Sequence, residues 1–231
     1  MEPKWPNFST SPNGTERLAP TFQEFGSFID ELSKRQELTF RYIVLALHTW
    51  ARPEAIMDLR VGAQVEFEHG LVDLNPPGRR QNEKRRPVIR LTDNCRGWLG
   101  HWGQDAPMTW NGQPAKSLKR TWQRHAADCG VPEFTRYTVR QFMATRVRRA
   151  KPPVSAEEHS QWLGHVGDRA HRTTRIYEKF DPDYLADCAR ATEWVIAELQ
   201  ETRIGGWMRA NCAQIVRRVE SPRNSAPQLR F

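Results

Sequence analysis

The sequence predicts an α+β fold, mainly α-helical with a small three-stranded antiparallel sheet. Three observations predict it. Apolar residues recur at helical spacing before residue 60 and again after residue 115, and between them residues 64–91 alternate with period two. The chain of 231 residues is 38% apolar and 10% aromatic with nine Trp, enough large side chains for one core of ordinary size. No apolar run approaches the roughly 20 residues of a membrane span.

The elements follow in order. Residues 1–20 are rich in Pro, Ser, Asn and Gly and are expected to be a disordered segment without a signal-peptide pattern. "TFQEFGSFIDELSKR" places Phe22, Phe25, Phe28, Ile29 and Leu32 at helical spacing behind Thr21 as N-cap. "ELTFRYIVLALHTWA" is apolar all round and reads as a buried helix; Pro53 suits the first turn of a short helix after it. Strands are predicted at Gln64–Phe67, Leu71–Leu74 and Pro87–Leu91, with "EHG" as a turn and "PPGRRQNEKRR" as a basic connector expected to be mobile. "KSLKRTWQRHAADCG" predicts a helix stopped at Gly130, and "TVRQFMATRVRRA" one ended by Lys151-Pro152-Pro153. "SAEEHSQWLGH" opens with a capping-box pattern, Ser155 and Glu158, and stops at Gly164. "DPDYLADCARATEWVIAELQ" predicts a long helix capped by Asp181 with Pro182 at its first position. A weak helix, "WMRANCAQIVRRV", leads into a polar tail. The domain reading is residues 1–20 disordered, 21–201 one domain, and 202–231 a basic C-terminal helix and tail.

The charge bears on function. The chain carries +8, and residues 76–90 and 134–180 alone carry +5 and +6. Two basic segments that together exceed the whole-chain charge point to a polyanionic partner. Cys95, Cys129, Cys188 and Cys212 lie far apart without a CxxC pair, which reads as reduced thiols of a cytoplasmic protein, with no metal site and no disulfide frame. Within the second basic segment, "HRTTRIYEKF" sets Tyr177 among Arg172, Arg175, Lys179 and, when protonated, His171. A core tyrosine needs apolar neighbours; this setting suits a hydroxyl that meets an anion.

Four elements in order resemble the tyrosine recombinase (phage integrase) family: Arg52 in "HTWARPEAIMDL", Arg140 in "TRYTVRQFMATRV", His165 closing "QWLGH", and Tyr177 in "TTRIYEKF". The resemblance spans about residues 38–190 and includes the three-stranded insert between the first two elements. It implies the DNA breaking-rejoining catalytic-domain fold. It also implies site-specific strand cleavage and rejoining through a 3′-phosphotyrosyl intermediate, hence DNA integration or excision, with no metal and no cofactor. Tyr177 is then the nucleophile, and Arg52, Arg140 and His165 hold the phosphate. Paired guanidinium N–H donors suit two non-bridging oxygens, and fixed cations favour the charge that builds there. In the family a lysine on the loop between the second and third strands protonates the leaving oxygen; Lys84 is assigned that place. Arg79, Arg80, Arg85, Arg86, Arg136, Arg146, Arg148, Arg149, Arg172 and Arg175 are assigned to DNA binding. The implied partner is double-stranded DNA, met as a tetramer with other recombinase subunits, the chain being a monomer in solution.

The sequence departs from the family pattern. Tyr137 stands where the family has His three residues before the second arginine, and a phenol is a poorer base at neutral pH. Gln141 follows Arg140 where His or Lys is common, and Ala55 stands where Glu is frequent. About 37 residues precede the match, so the chain is expected to be the catalytic part of a longer protein or a naturally short member. The alternative is a catalytically weak DNA-binding remnant that lacks the family's N-terminal core-binding domain. A type IB topoisomerase shares the chemistry but not the motif spacing, and an RNA-binding module would carry an aromatic RNP-like strand or a GXXG loop. Each residue also has a plainer reading: Arg52 and Arg140 as surface cations, His165 as a helix C-terminal histidine, and Tyr177 as a packing aromatic with Tyr184 its rival. His159 and His171 read as surface residues, not ligands.

Overall fold

The structure, a computed structural model, describes residues 20–35, 37–82, 84–103, 105–165, 181 and 183–201. It is mainly helical with a small antiparallel sheet. Its centre is α2 (Glu37–Thr49), buried on every side from Leu38 to Thr49 apart from the half-buried Phe40. Against it lie α1 (Phe22–Arg35), α3 (Pro53–Met57), α5 (Asp93–Trp102), α7 (Arg136–Arg146) and α9 (Ala186–Glu201). α1 carries one apolar stripe, Phe25, Phe28, Ile29 and Leu32, all fully buried. Its start is a reciprocal cap: Thr21 Oγ1 accepts from Glu24 N at 3.2 Å and Thr21 N donates to Glu24 Oε2 at 2.8 Å.

The sheet runs β1 (Val65–Glu66), β2 (Leu71–Asp73), β3 (Val88–Arg90), all antiparallel, with Val72 opposite Val65 and Ile89. The strands are shorter than predicted. Gln64 belongs instead to α4 (Val61–Gln64), where its side chain is buried, accepts from Arg60 N at 2.9 Å and donates to Asp73 O at 2.6 Å. Single bonds carry the pairing past the strand ends, from Leu74 N to Pro87 O at 3.0 Å and from Leu91 N to Gly70 O at 2.7 Å. The connector is bonded to itself, with Asn75 on Arg79 and Gln81 on both backbone groups of Arg86.

Besides α4, two elements have no counterpart among the predicted ones. Helix α5 contains Gly97 and Gly100, which lower helix propensity, yet it forms because Cys95, Trp98 and Leu99 bury one face. A hairpin, β4 (Thr109–Trp110) and β5 (Gln113–Pro114), turns through Asn111 and Gly112, both at positive φ. It leads into α6 (Lys119–Asp128), whose Trp122 is buried and donates Nε1–H to Phe134 O at 2.7 Å. After α7, a single 3₁₀ turn at Val147–Arg149 leads to α8 (Ala156–Trp162), where Ser155 Oγ caps Glu158 N at 3.1 Å.

The last helix starts later than predicted. Asp181 does not cap it: Asp183 N donates to Asp181 Oδ1 at 2.8 Å in a turn, and Leu185, buried at φ +53°, breaks helical continuity before Ala186. The backbone N–H groups of Asp187 and Cys188 are instead satisfied by the Glu158 carboxylate from α8. Cys95, Cys129 and Cys188 are buried free thiols, and burial pushes Cys95 up to about 12; Cys212 lies outside the described residues. The weak helix predicted near residue 207 also lies outside them.

Candidate active site

Three turns and one helix converge on the predicted arginines. Trp50 ends α2 at φ +49°, a left-handed conformation that costs a non-glycine residue about 1–3 kcal/mol. Its ring is held by Trp162 at 5.0 Å and by His159 at 5.8 Å between ring centroids. Trp162 donates Nε1–H to Thr49 O at 3.1 Å, so α8 locks the end of α2. That turn sends the chain to Arg52, extended at φ −67° and ψ 148°, with Pro53 opening α3. The Arg52 Nη1 group donates to Arg85 O at 2.8 Å, at the end of the connector.

Arg140 stands on α7, whose start is capped by Thr135 and Thr138 and whose Val139, Phe142 and Met143 are fully buried. Its guanidinium donates to Trp50 O and, at 2.8 Å, to Leu163 O. One side chain thereby joins the turn after α2 to the turn after α8. The "LGH" segment has a steric reason. Gly164 lies at φ +69°, and a Cβ there would sit 2.7 Å from Arg85 O and 2.8 Å from Pro87 Cδ. Gly164 N and His165 N close the end of α8 on Gln161 O and Ser160 O, each at 2.9 Å.

The electrostatics show the same convergence. Burial first, then the neighbouring Arg52 charge, brings Arg140 down to about 10, with Tyr137 acting the other way. The His165 pKa is lowered by partial burial, then by Arg140, Arg52 and His159. Arg52, Arg140 and His165 are therefore one cluster, although 113 positions separate the first from the last. Among the described residues no carboxylate pairs with any of the three. Two like charges that lose water and gain no acid are an arrangement suited to an anion from outside. Among the described residues no group of three or more His, Cys, Asp or Glu could hold a metal ion. No described helix is long and apolar enough to cross a membrane.

The other predicted residues divide. Tyr137 is 43% exposed one turn before Arg140. Lys84 is exposed beside the Arg52–Arg85 contact, its backbone N bonded to Asn82 Oδ1 at 3.0 Å. Arg80, Arg148 and Arg149 are exposed, and Arg85 and Arg136 are half-buried. Arg79 shapes the connector through Asn75 at 2.6 Å and Asn82 at 3.2 Å. Two residues assigned to DNA turn inward in the structure. Arg86 is buried and pairs with Asp58 at 2.8 Å. Arg146 is buried, donates to Pro20 O, and lies over the rings of Phe22 and Phe142 at 5.3 and 5.5 Å. His159 is not on the surface: it is half-buried under Trp50, its Nε2 on Ala144 O at 2.8 Å. Tyr184 packs against the core and its hydroxyl donates to Val88 O at 3.0 Å, which commits it to structure. Tyr177, Arg172, Arg175 and His171 lie outside the described residues. Sequence reasoning missed the Trp50–Trp162 bracket, although both tryptophans stand within two residues of a motif residue or its turn glycine.

No known family profile matches the sequence, and no curated protein matches it. Among solved structures, the crystal structure of XerA recombinase is similar, with a TM-score of 0.48 and 14% identity over 74% of this chain and 69% of that one. A likeness so distant assigns neither family nor activity.

Proposed function

We propose that this chain breaks and rejoins DNA as a tyrosine-type site-specific recombinase, with residues 21–201 as its catalytic unit. The observation that carries this reading is the carbonyl-framed cluster of Arg52, Arg140 and His165, which no described carboxylate neutralises. A phosphodiester fits such a site. Arg52 and Arg140 each keep N–H donors beyond those used on Arg85, Trp50 and Leu163 carbonyls, and these meet the non-bridging oxygens. The Tyr177 hydroxyl gives its proton to solvent water and attacks phosphorus; the bond to the 5′-oxygen breaks, and that oxygen takes a proton from Lys84. The 3′-phosphotyrosyl bond conserves the phosphodiester energy until a second 5′-hydroxyl reverses the step. His165 and Tyr137 donate hydrogen bonds to the phosphate. Arg80, Arg85, Arg136, Arg148, Arg149, Arg172 and Arg175 bear on the backbone either side, and recombination itself needs further subunits on the DNA. A second reading, a DNA-binding remnant with weak catalysis, is favoured by Tyr137 in the place of a better base.

The test is covalent capture. The chain is incubated with a library of nicked duplexes of randomised sequence and searched on denaturing gels for protein–DNA adducts. An adduct is expected for the parent and none for Tyr177→Phe, with duplex affinity nearly equal in the two. An adduct that persists in the variant and maps to Tyr184 overturns the assignment.

A further inference from the structure

Helix α6 carries a charged surface that belongs to neither basic segment of the sequence. Leu118, Trp122, His125 and Ala126 are buried along one side. Away from that side Arg120 and Arg124 stand four residues apart on the helix, with Lys119 at its start and Lys116 in the segment just before it, and all four are exposed. At that spacing the Arg120 and Arg124 charges are neighbours on one helix face and repel. None of the four side chains makes a hydrogen bond or ion pair with a described residue. The preceding hairpin presents Trp110 at 50% exposure and closes through Ala115 N on Met108 O, one residue before Lys116.

A set of cations unpaired by any described carboxylate, led by an indole half in water, fits a polyanion with apolar rims. We propose that Lys116, Arg120 and Arg124, with Trp110 at the leading end, form a second binding surface for the phosphate backbone of duplex DNA. The indole would lie against deoxyribose while the three cations track successive phosphates. The surface orients the duplex and carries no sequence information itself. This inference rests on DNA being the partner of the chain, but not on strand cleavage.

The test measures binding of the full chain to a short duplex of random sequence by fluorescence anisotropy, across roughly 50 to 200 mM salt. Replacing the three cations together (K116Q/R120Q/R124Q) is expected to reduce the log–log salt slope by about 2.7, at ~0.9 for each phosphate no longer neutralised. Trp110→Ala should weaken binding with the slope unchanged. Circular dichroism melts should show the triple variant folded, since it removes only repulsion. A slope equal to that of the parent overturns the second surface, and if Arg52→Ala still lowers the slope the DNA reading survives alone. A parent that binds no duplex sinks both. Equal competition per charge by poly-glutamate would assign the surface to an acidic protein and overturn the proposal.

Discussion

Arg140 and Arg146 stand six residues apart on one helix, both withdrawn from solvent, and they do opposite things. Arg146 at the C-terminal end is packed away: its guanidinium lies over two aromatic rings and donates to the Pro20 carbonyl. Arg140 near the N-terminal end is held by two carbonyls at its rear, with Arg52 for a neighbour. The difference teaches that burial alone does not tell a structural arginine from a functional one. What tells them apart is what covers the guanidinium: aromatic faces close over Arg146, whereas Arg140 has carbonyls at its rear and Arg52 beside it.

The comparison breaks most sharply by removing each in turn. Arg140→Ala should lower adduct formation by two to three orders of magnitude, in line with about 3–4 kcal/mol for a missing transition-state donor. Its denaturation midpoint should move far less than its rate. Arg146→Ala should do the reverse, lowering folding stability by about 2 kcal/mol as a charged hydrogen bond and two cation–π interactions disappear, measured by urea unfolding. A folded Arg146→Ala variant that loses adduct formation as completely as Arg140→Ala would erase the distinction.

His165 sharpens the same contrast with a smaller effect. Its pKa is held below the ordinary value, so the imidazole is neutral near pH 7. The unfolded state takes up a proton first as pH falls, so this residue contributes stability above the unfolded pKa of ~6.5, and that contribution is lost below it. On the DNA side the sign is opposite: protonation adds a third cation to the cluster. The salt slope of duplex binding should therefore grow by about 0.9 on moving well below pH 6, and His165→Gln should remove that increment. An increment unchanged in the variant would assign it to other histidines.

The inward turn of Arg146 is legible in the sequence. Val139, Phe142, Met143 and Arg146 follow the spacing of a single helical stripe, and the first three are its apolar part. Counting it with Arg148 and Arg149 as one basic run hides that register. Two features beside the motif residues are legible for a local reason: the glycine that stops α8 and an arginine before a helix-opening proline are written in adjacent letters. What stays hidden depends on long-range partners. The burial of Cys95, Trp98 and Leu99 outweighs the glycines of α5, and Leu185 in a left-handed turn shortens α9 where the letters read as helix. The pairing of Arg86 with Asp58 spans 28 positions, and nothing in "EKRRP" marks which arginine turns inward.

The Trp50–Trp162 pair also has an optical consequence. Two indoles 5.0 Å apart and 36° from parallel couple their electronic transitions, which should yield a paired signal in the near-ultraviolet circular dichroism. Trp50 supplies the carbonyl that holds Arg140, and Leu163, beside Trp162, supplies the other. The same chromophores therefore report on the backbone that aims the guanidinium. Loss of that signal in a Trp102→Phe background, which removes the similar Trp98–Trp102 pair, would register a slackened turn in solution with no label and no substrate.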